Sequence, residues 1–395
     1  MDKIHVTLAI HWEGRHLDGV EYLASARARL LPGVPVTHFV SSAYFARGGN
    51  IETIVEAMLP AFESNDEVAL HVPAWRSVRG AAHEPGRTVV VGEDPELIVE
   101  YPGITSQIDR GYTLPISGHD KPTIESFIVT SKLLLRPLLS ELLVRRKLVV
   151  ERMLRGIRAG HGMASDMFLA AACNAGFAYD ASGMDSVWAR AAGQRAEADA
   201  ERGVEMFAPL WNDWARLWGP QEQADPYFSN RGAWIGTRGA GINANTQPFF
   251  IAHCGSSRLL ELPLNGGVVP PTNPEHIAEL LSNSLESPPG VSRTLSLAIR
   301  QETAEGCLDA LLDIEAFRAS RIHWTTNVDL LVDLLGEPPV SEPIGVRDRP
   351  LQALREQMAQ GNLASSVAVA PAGPPPGRAV PSVVVPAIQV PLLKT

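Results

Sequence analysis

The sequence predicts an α/β chain built around a parallel sheet or barrel. Three observations point there: an alternating first strand, a repeated strand-then-helix order, and a strand–helix–strand unit in the middle of the chain. Ile4, Val6, Leu8 and Ile10 alternate with His5, Thr7 and Ala9, and the run ends in Trp12-Glu13-Gly14. A period of two marks a strand with unlike faces. Helical spacing follows from Gly19 to Leu30, then a strand over Val34–Val40, a helix over Ile51–Phe62 and a strand over Glu67–Val72. Such alternation builds a parallel sheet, because each crossover helix returns the chain to the same edge of the layer. Gly156–Ala159 reads as another strand, followed by a helix capped by Ser165 and stopped by Gly176, and Phe177–Asp180 opens the next strand.

The remaining segments are assigned in order. Residues 76–122 are rich in Gly, Pro and charge and read as long loops at one end of the sheet. Pro122 to Arg152 reads as one helix, with Arg145-Arg146-Lys147 on its solvated face. Residues 185–250 form an insertion rich in Trp and Gly, and the run Gly236–Gly241 within it follows no clear βαβ unit and reads as a loop. Leu259–Pro263 and Leu295–Ile299 read as strands, Glu275–Glu286 and Ala304–Ser320 as helices, and Ile322–Thr325 as a last strand before a helix that ends near Gly336. Residues 336–395 carry many prolines, including Pro374-Pro375-Pro376, and are expected to be a flexible tail. The division is therefore 1–335 for the folded domain and 336–395 for the tail.

Composition narrows the function classes. The chain has 395 residues, 45% of them hydrophobic, which is enough for a large core. A formal net charge of −10 argues against nucleic acid or an anionic membrane as partner, since phosphate binding needs a basic surface. Cys173, Cys254 and Cys307 are widely spaced and form no CxxC pair, so a cysteine zinc knuckle is not expected and a reducing compartment is. The first residues carry no signal-peptide pattern, and no apolar run is long enough to span a bilayer, so the expected location is the cytoplasm.

Several of these pieces resemble one family, the polysaccharide deacetylases. Ile10-His11-Trp12-Glu13-Gly14 resembles the family's opening strand, and Glu67–His71 resembles the strand that carries its first metal histidine. Arg158-Ala159-Gly160-His161-Gly162-Met163-Ala164-Ser165-Asp166, followed by Ala175–Ser182, resembles its arginine strand and the unit after it. Leu260–Pro263 and Gln301–Ala304 resemble later segments, in the same order, so the resemblance runs over about residues 3–335. It implies a distorted (β/α)7-type barrel. It also implies a hydrolase that removes acetyl groups from N-acetylated sugars, using a divalent metal held by one acidic residue and two histidines.

Carried onto this chain, the resemblance makes Glu13 the metal carboxylate and His71 the first metal histidine. Arg158 then orients a carboxylate or contacts substrate, through a guanidinium that is always charged. The chain also departs from the pattern. His11 stands where the family has its catalytic aspartate, Pro73 and Trp75 occupy the positions open to the second metal histidine, and Arg300 replaces a late histidine. His119 and His161, with His11 and Glu13, could rebuild a nitrogen–oxygen metal site, with zinc the expected ion. His323 on the last strand could replace the missing acid. Trp12, Trp75 and Asp120 are the expected substrate contacts, and Trp324 could also wall a saccharide cleft.

The expectation is a metal-dependent hydrolase acting on the amide bond of an N-acylated amino sugar or a similar metabolite, taking a small-molecule or saccharide substrate. The altered positions also fit a non-catalytic member that binds a saccharide or protein partner. A third possibility keeps the barrel but uses His11 as a metal-free acid/base.

Overall fold

In the computed structural model, the described residues are 3–13, 16–29, 31–46, 49–72, 87–91, 99–106, 119–160, 164–183, 227–229, 249–251, 278, 281–282, 285–286, 293–305, 307–308 and 319–335. All of them belong to one compact unit, Met1–Glu342. Its centre is a sheet in the order β10 (Arg293–Arg300), β1 (Ile4–Trp12), β2 (Thr37–Ser41), β3 (Glu67–Val72), β6 (Met153–Ala159), β7 (Tyr179–Asp180), β9 (Phe249–Ile251), β8 (Tyr227–Ser229). Every pairing from β10 to β9 is parallel, and only β8 runs against its neighbour. β11 (Ile322–Thr325) also pairs in parallel with β1. The sheet is curled, so the α/β distorted-barrel class expected from the sequence is the class observed.

Alternation in β1 sorts its two faces. Ile4, Val6, Leu8, Ile10 and Trp12 lie on the apolar face, and His5, Thr7, Ala9 and His11 on the polar one, with all nine positions buried. Polar side chains on a buried face need partners. At the amino end of the sheet, Glu67 gathers donors from β2, β7 and the last helix. Its carboxylate accepts from Tyr179 Oη at 2.6 Å, Thr37 Oγ1 at 3.0 Å and the Val328 amide at 3.0 Å. Val328 lies in the first turn of α7 (Asn327–Leu335), so a carboxylate satisfies free amides at the start of that helix. The Tyr179 ring reaches Glu67 across Gly156, where an added Cβ would come within 1.9 Å of Cζ. A side chain at position 156 is therefore excluded.

A second buried network ties the first crossover to the sheet. Asp66 accepts from Arg27 Nη2 at 2.6 Å, from the amides of Val36 at 2.9 Å and Glu63 at 2.7 Å, and from His38 Nε2 at 3.1 Å. Arg27 comes from α1 (Val20–Arg29). His38 Nδ1 in turn accepts from Trp12 Nε1 at 3.1 Å, which fixes the His38 tautomer with its proton on Nε2.

The structure corrects several local expectations. The 76–122 stretch contains an antiparallel hairpin of β4 (Arg87–Val91) and β5 (Val99–Ser106), where only loops were expected. The expected helix over 122–152 is broken into α4 (Lys121–Leu134), α5 (Arg136–Glu141) and a wider turn, Leu142–Arg146. Pro137 has no N–H to give the carbonyl four residues back, so the helix cannot continue through it. The wide turn ends at Lys147, whose φ of 58° is left-handed. The second strand begins at Thr37 rather than Val34. The expected strand at 259–263, most of the 185–250 insertion including Gly236–Gly241, and the 336–395 tail lie outside the described residues. Among the described residues, no helix is long and apolar enough to cross a membrane.

Candidate active site

At the carboxyl end of the sheet, register places five chemically active side chains together. His11 pairs with Arg300 across β1 and β10, and His71 pairs with Arg158 across β3 and β6. In-register neighbours share a face of the sheet. Glu13 follows His11 by two residues and returns to the same side. Its Oε2 accepts from His71 Nε2 at 3.0 Å, and its Oε1 lies 3.7 Å from Arg300 Nε. The imidazoles of His11 and His71 stack with centroids 5.8 Å apart and planes 7° apart. Phe39 of β2 meets His11 edge-on, with ring centroids 5.6 Å apart.

An irregularity in β6 aims the arginine. The register against β3 shifts between Val68 and Leu70, and Leu154 takes a left-handed φ of 52° there. Bulges of this kind redirect a strand beside functional sites. Beyond it, Arg158 comes level with His71 and donates from Nη1 to the Ala181 carbonyl.

Electrostatics set the protonation of the cluster. His11 is held well below the ordinary histidine value, first by burial and then by the positive Arg158, so it is neutral. Burial alone would raise Glu13, but the charge and hydrogen bond of His71, with Arg300 beyond, hold its carboxyl well below the usual range. Asp180 is pushed up to about 7 by burial, despite accepting from the Ser182 amide at 2.8 Å and hydroxyl at 2.7 Å. His11 Nε2, His71 Nδ1 and Arg158 Nε are buried with no hydrogen-bond partner among the described residues. Buried orphan atoms at one place mark where a further molecule is wanted.

The sequence-predicted residues divide. Glu13, His71, His11 and Arg158 converge as expected, and Arg300 joins them. Trp12 does not line a cleft: it is fully buried on the opposite face, stacked on Phe62 at 5.5 Å. The cause is the strand's own period, which turns position 12 away from 11 and 13. His323 is not at this end either. β11 pairs with Ile4–Thr7, so His323 sits beside His5, about 20 Å along β1 from His11 at 3.3 Å per residue. Trp324 is half-buried against the core. His119 and Asp120 are half-buried at the start of α4, and Asp120 Oδ1 is buried without a hydrogen-bond partner among the described residues. Trp75 and His161 lie outside the described residues.

The expected metal does not fit the described part of this cluster. Glu13 and His71 are spent on a direct hydrogen bond, and no third ligand among the described residues joins them. Arg300 and Arg158 add positive charge where a divalent cation would sit. Among the described residues, the one convergent group of metal-ligating side chains is His5, His323 and Asp333, at the other end of β1.

No family model matches the chain, and no curated protein matches it by sequence. Two solved structures resemble it in the course of the chain. One is a Mycobacterium smegmatis protein assigned to the polysaccharide deacetylases, at 12% identity and a TM-score of 0.46, covering 87% of this chain and 95% of that one. The other is a 4-alpha-glucanotransferase from Thermococcus litoralis, at 11% identity and 0.42, covering 84% of this chain and 40% of that one. At this level of superposition neither carries a residue's role to this chain.

Proposed function

We propose that the chain is a hydrolase acting on the carbon–nitrogen amide bond of an N-acylated amino sugar or a metabolite with a similar amide. The reading rests on one observation, the Glu13–His71 pair: a part-buried carboxylate 3.0 Å from an imidazole whose second nitrogen has no hydrogen-bond partner among the described residues. A carboxylate so placed fixes the tautomer and stabilises the imidazolium that forms during proton transfer. In the tautomer that donates from Nε2 to Glu13, His71 takes a proton at Nδ1 from a water molecule as its oxygen adds to the amide carbon. The same proton passes to the amine nitrogen as the C–N bond breaks, leaving a carboxylic acid and a free amine. The guanidinium groups of Arg158 and Arg300 supply charge for the oxyanion in between. Neutral His11, stacked on His71, offers Nε2 for a hydrogen bond to substrate. No step runs through a metal ion.

The test is release of carboxylate from soluble N-acetylated amino sugars by the full chain. Turnover should persist in the presence of a chelator, and His71→Ala should lower kcat/KM by about 10²–10⁴. Turnover abolished by chelator and restored by a divalent ion would return the metal to the mechanism and sink this version of it.

A second reading, a binding protein without turnover, is favoured by the Arg300–Glu13 ion pair, which neutralises the site's carboxylate. Calorimetry that finds saccharide binding with no carboxylate released from any of these substrates would select it.

A further inference from the structure

His5, His323 and Asp333 come from three different elements, β1, β11 and α7, and meet at the amino end of the sheet. His5 Nδ1 lies 3.7 Å from Asp333 Oδ2, and His323 Nε2 lies 3.9 Å from the same oxygen. Both separations are too long for hydrogen bonds. Yet the three ligand atoms all lie within 4.8 Å of one another. The two imidazoles stand edge to face, 5.3 Å between centroids and 88° between planes. Their nitrogens therefore approach the carboxylate from two directions, as separate ligands of one ion do.

His5 Nδ1 is buried and has no hydrogen-bond partner among the described residues. An unpaired nitrogen in that position is costly unless something accepts its lone pair or its proton. Around a tetrahedral zinc, ligand atoms about 2.1 Å from the ion are about 3.4 Å apart. The two separations from Asp333 Oδ2 exceed that by only a few tenths of an ångström. His323 and Asp333 side chains are 40% and 45% exposed and can make the adjustment by rotating, while His5, at 10%, stays fixed. Lys3 opposes binding by its charge.

We propose that His5 Nδ1, His323 Nε2 and Asp333 Oδ2 bind a divalent transition-metal ion, with solvent at the fourth position. Two imidazoles and one carboxylate suit zinc or cobalt and are a poor set for calcium or magnesium, which prefer oxygen. The ion's role is structural. β11 pairs with only four residues of β1, and α7 is the last described element. An ion held by all three elements clamps this final unit to the first strand. It lies at the opposite end of β1 from Glu13 and His71, so it is independent of the hydrolase reading.

The test uses the full chain, stripped with chelator and titrated with Co2+ and then Zn2+. The expected result is one ion per chain, visible ligand-field bands of tetrahedral cobalt, and a Tm higher by about 5 °C at one hundred times Kd. His323→Ala and Asp333→Asn alter exposed side chains and should keep the native far-UV spectrum while losing both the bands and the Tm rise. Glu13→Gln should retain both. Bands that survive in His323→Ala but vanish in Glu13→Gln would move the ion to the carboxyl end and overturn the proposal. No bands and no Tm change with either metal at millimolar concentration would overturn it as well.

Discussion

Trp12 and Glu13 are adjacent in sequence and face opposite sides of the sheet. Glu13 enters the polar cluster, and Trp12 closes the apolar layer against Phe62 while donating to His38. Trp12→Ala should therefore cost about 3–5 kcal/mol of stability, measured by denaturant unfolding, because it opens a large cavity and strips His38 of a partner. Gly156→Ala should be worse than its size suggests, since the new methyl would occupy the space of the Tyr179 ring. Loss of the folded fraction at 25 °C is the expected readout, and Tyr179→Phe should not rescue it, because the ring itself is in the way. Much of the site was legible at this scale. Glu13, His71 and Arg158 stand at the ends of clearly patterned strands, and period-two alternation alone already separates Trp12 from its neighbours. Arg300 was visible as a departure, but its pairing with Glu13 depends on the β1–β10 register, which no local pattern encodes.

At the scale of elements, capping and buried charge decide where chains start and how they respond to pH. α3 (Ile51–Met58) begins at Asn50, whose side-chain oxygen accepts from the amides of Glu52 at 3.0 Å and Thr53 at 3.4 Å. Asn50→Ala should cost about 1 kcal/mol by the same measurement. Glu67 joins β2, β3, β7 and α7, and burial pushes its pKa up from 4.5 to about 7. The folded state then binds this proton more tightly than the unfolded state. Its contribution to stability is full below about pH 4.5 and is lost as pH rises through 7, by about 3 kcal/mol. Asp180, raised from 3.8 to about 7, acts in the same direction. Glu13 acts oppositely, since its depressed pKa gives stability that disappears as pH falls below the ordinary carboxylate range. The buried histidines His5, His11 and His38, held below their ordinary value of 6.5, oppose this trend at lower pH, so thermal unfolding should show Tm rising from pH 8 to about 6.5, and Glu67→Gln should reduce that rise. A rise in Tm from pH 8 to about 6.5 as large in Glu67→Gln as in the parent chain would contradict the buried-carboxylate account. Helix breaks were harder to read from sequence than helix starts: Ser165 and Gly176 mark their helix plainly, whereas the wide turn after α5 follows from packing around Leu138 and Leu142.

For the whole molecule, the strand-then-helix order in the first 72 residues was sufficient to give a parallel sheet, and the order β10-β1-β2-β3 follows that expectation with β1 in the interior. What the pattern could not give is the position of β11. Its four residues look like one more strand for the carboxyl end of the barrel, yet they fill the edge of β1 below β2, because Thr37 meets β1 only at Ala9 and leaves Ile4–Thr7 open. That geometry moved His323 away from the candidate active site and brought it to His5.

The same geometry governs how the protein comes into being. β1 is flanked on one side by β10 and on the other, in its lower half, by β11, which are made about 290 and about 320 residues after it. Until then β1 has unsatisfied backbone amides and carbonyls and an apolar face with no cover on that side. Closing so long a loop is slow, and exposed strand edges invite association with other chains. Refolding from denaturant should accordingly be slow and concentration-sensitive in yield, and a chain cut before Arg293 should be captured by chaperones rather than accumulate as a folded fragment.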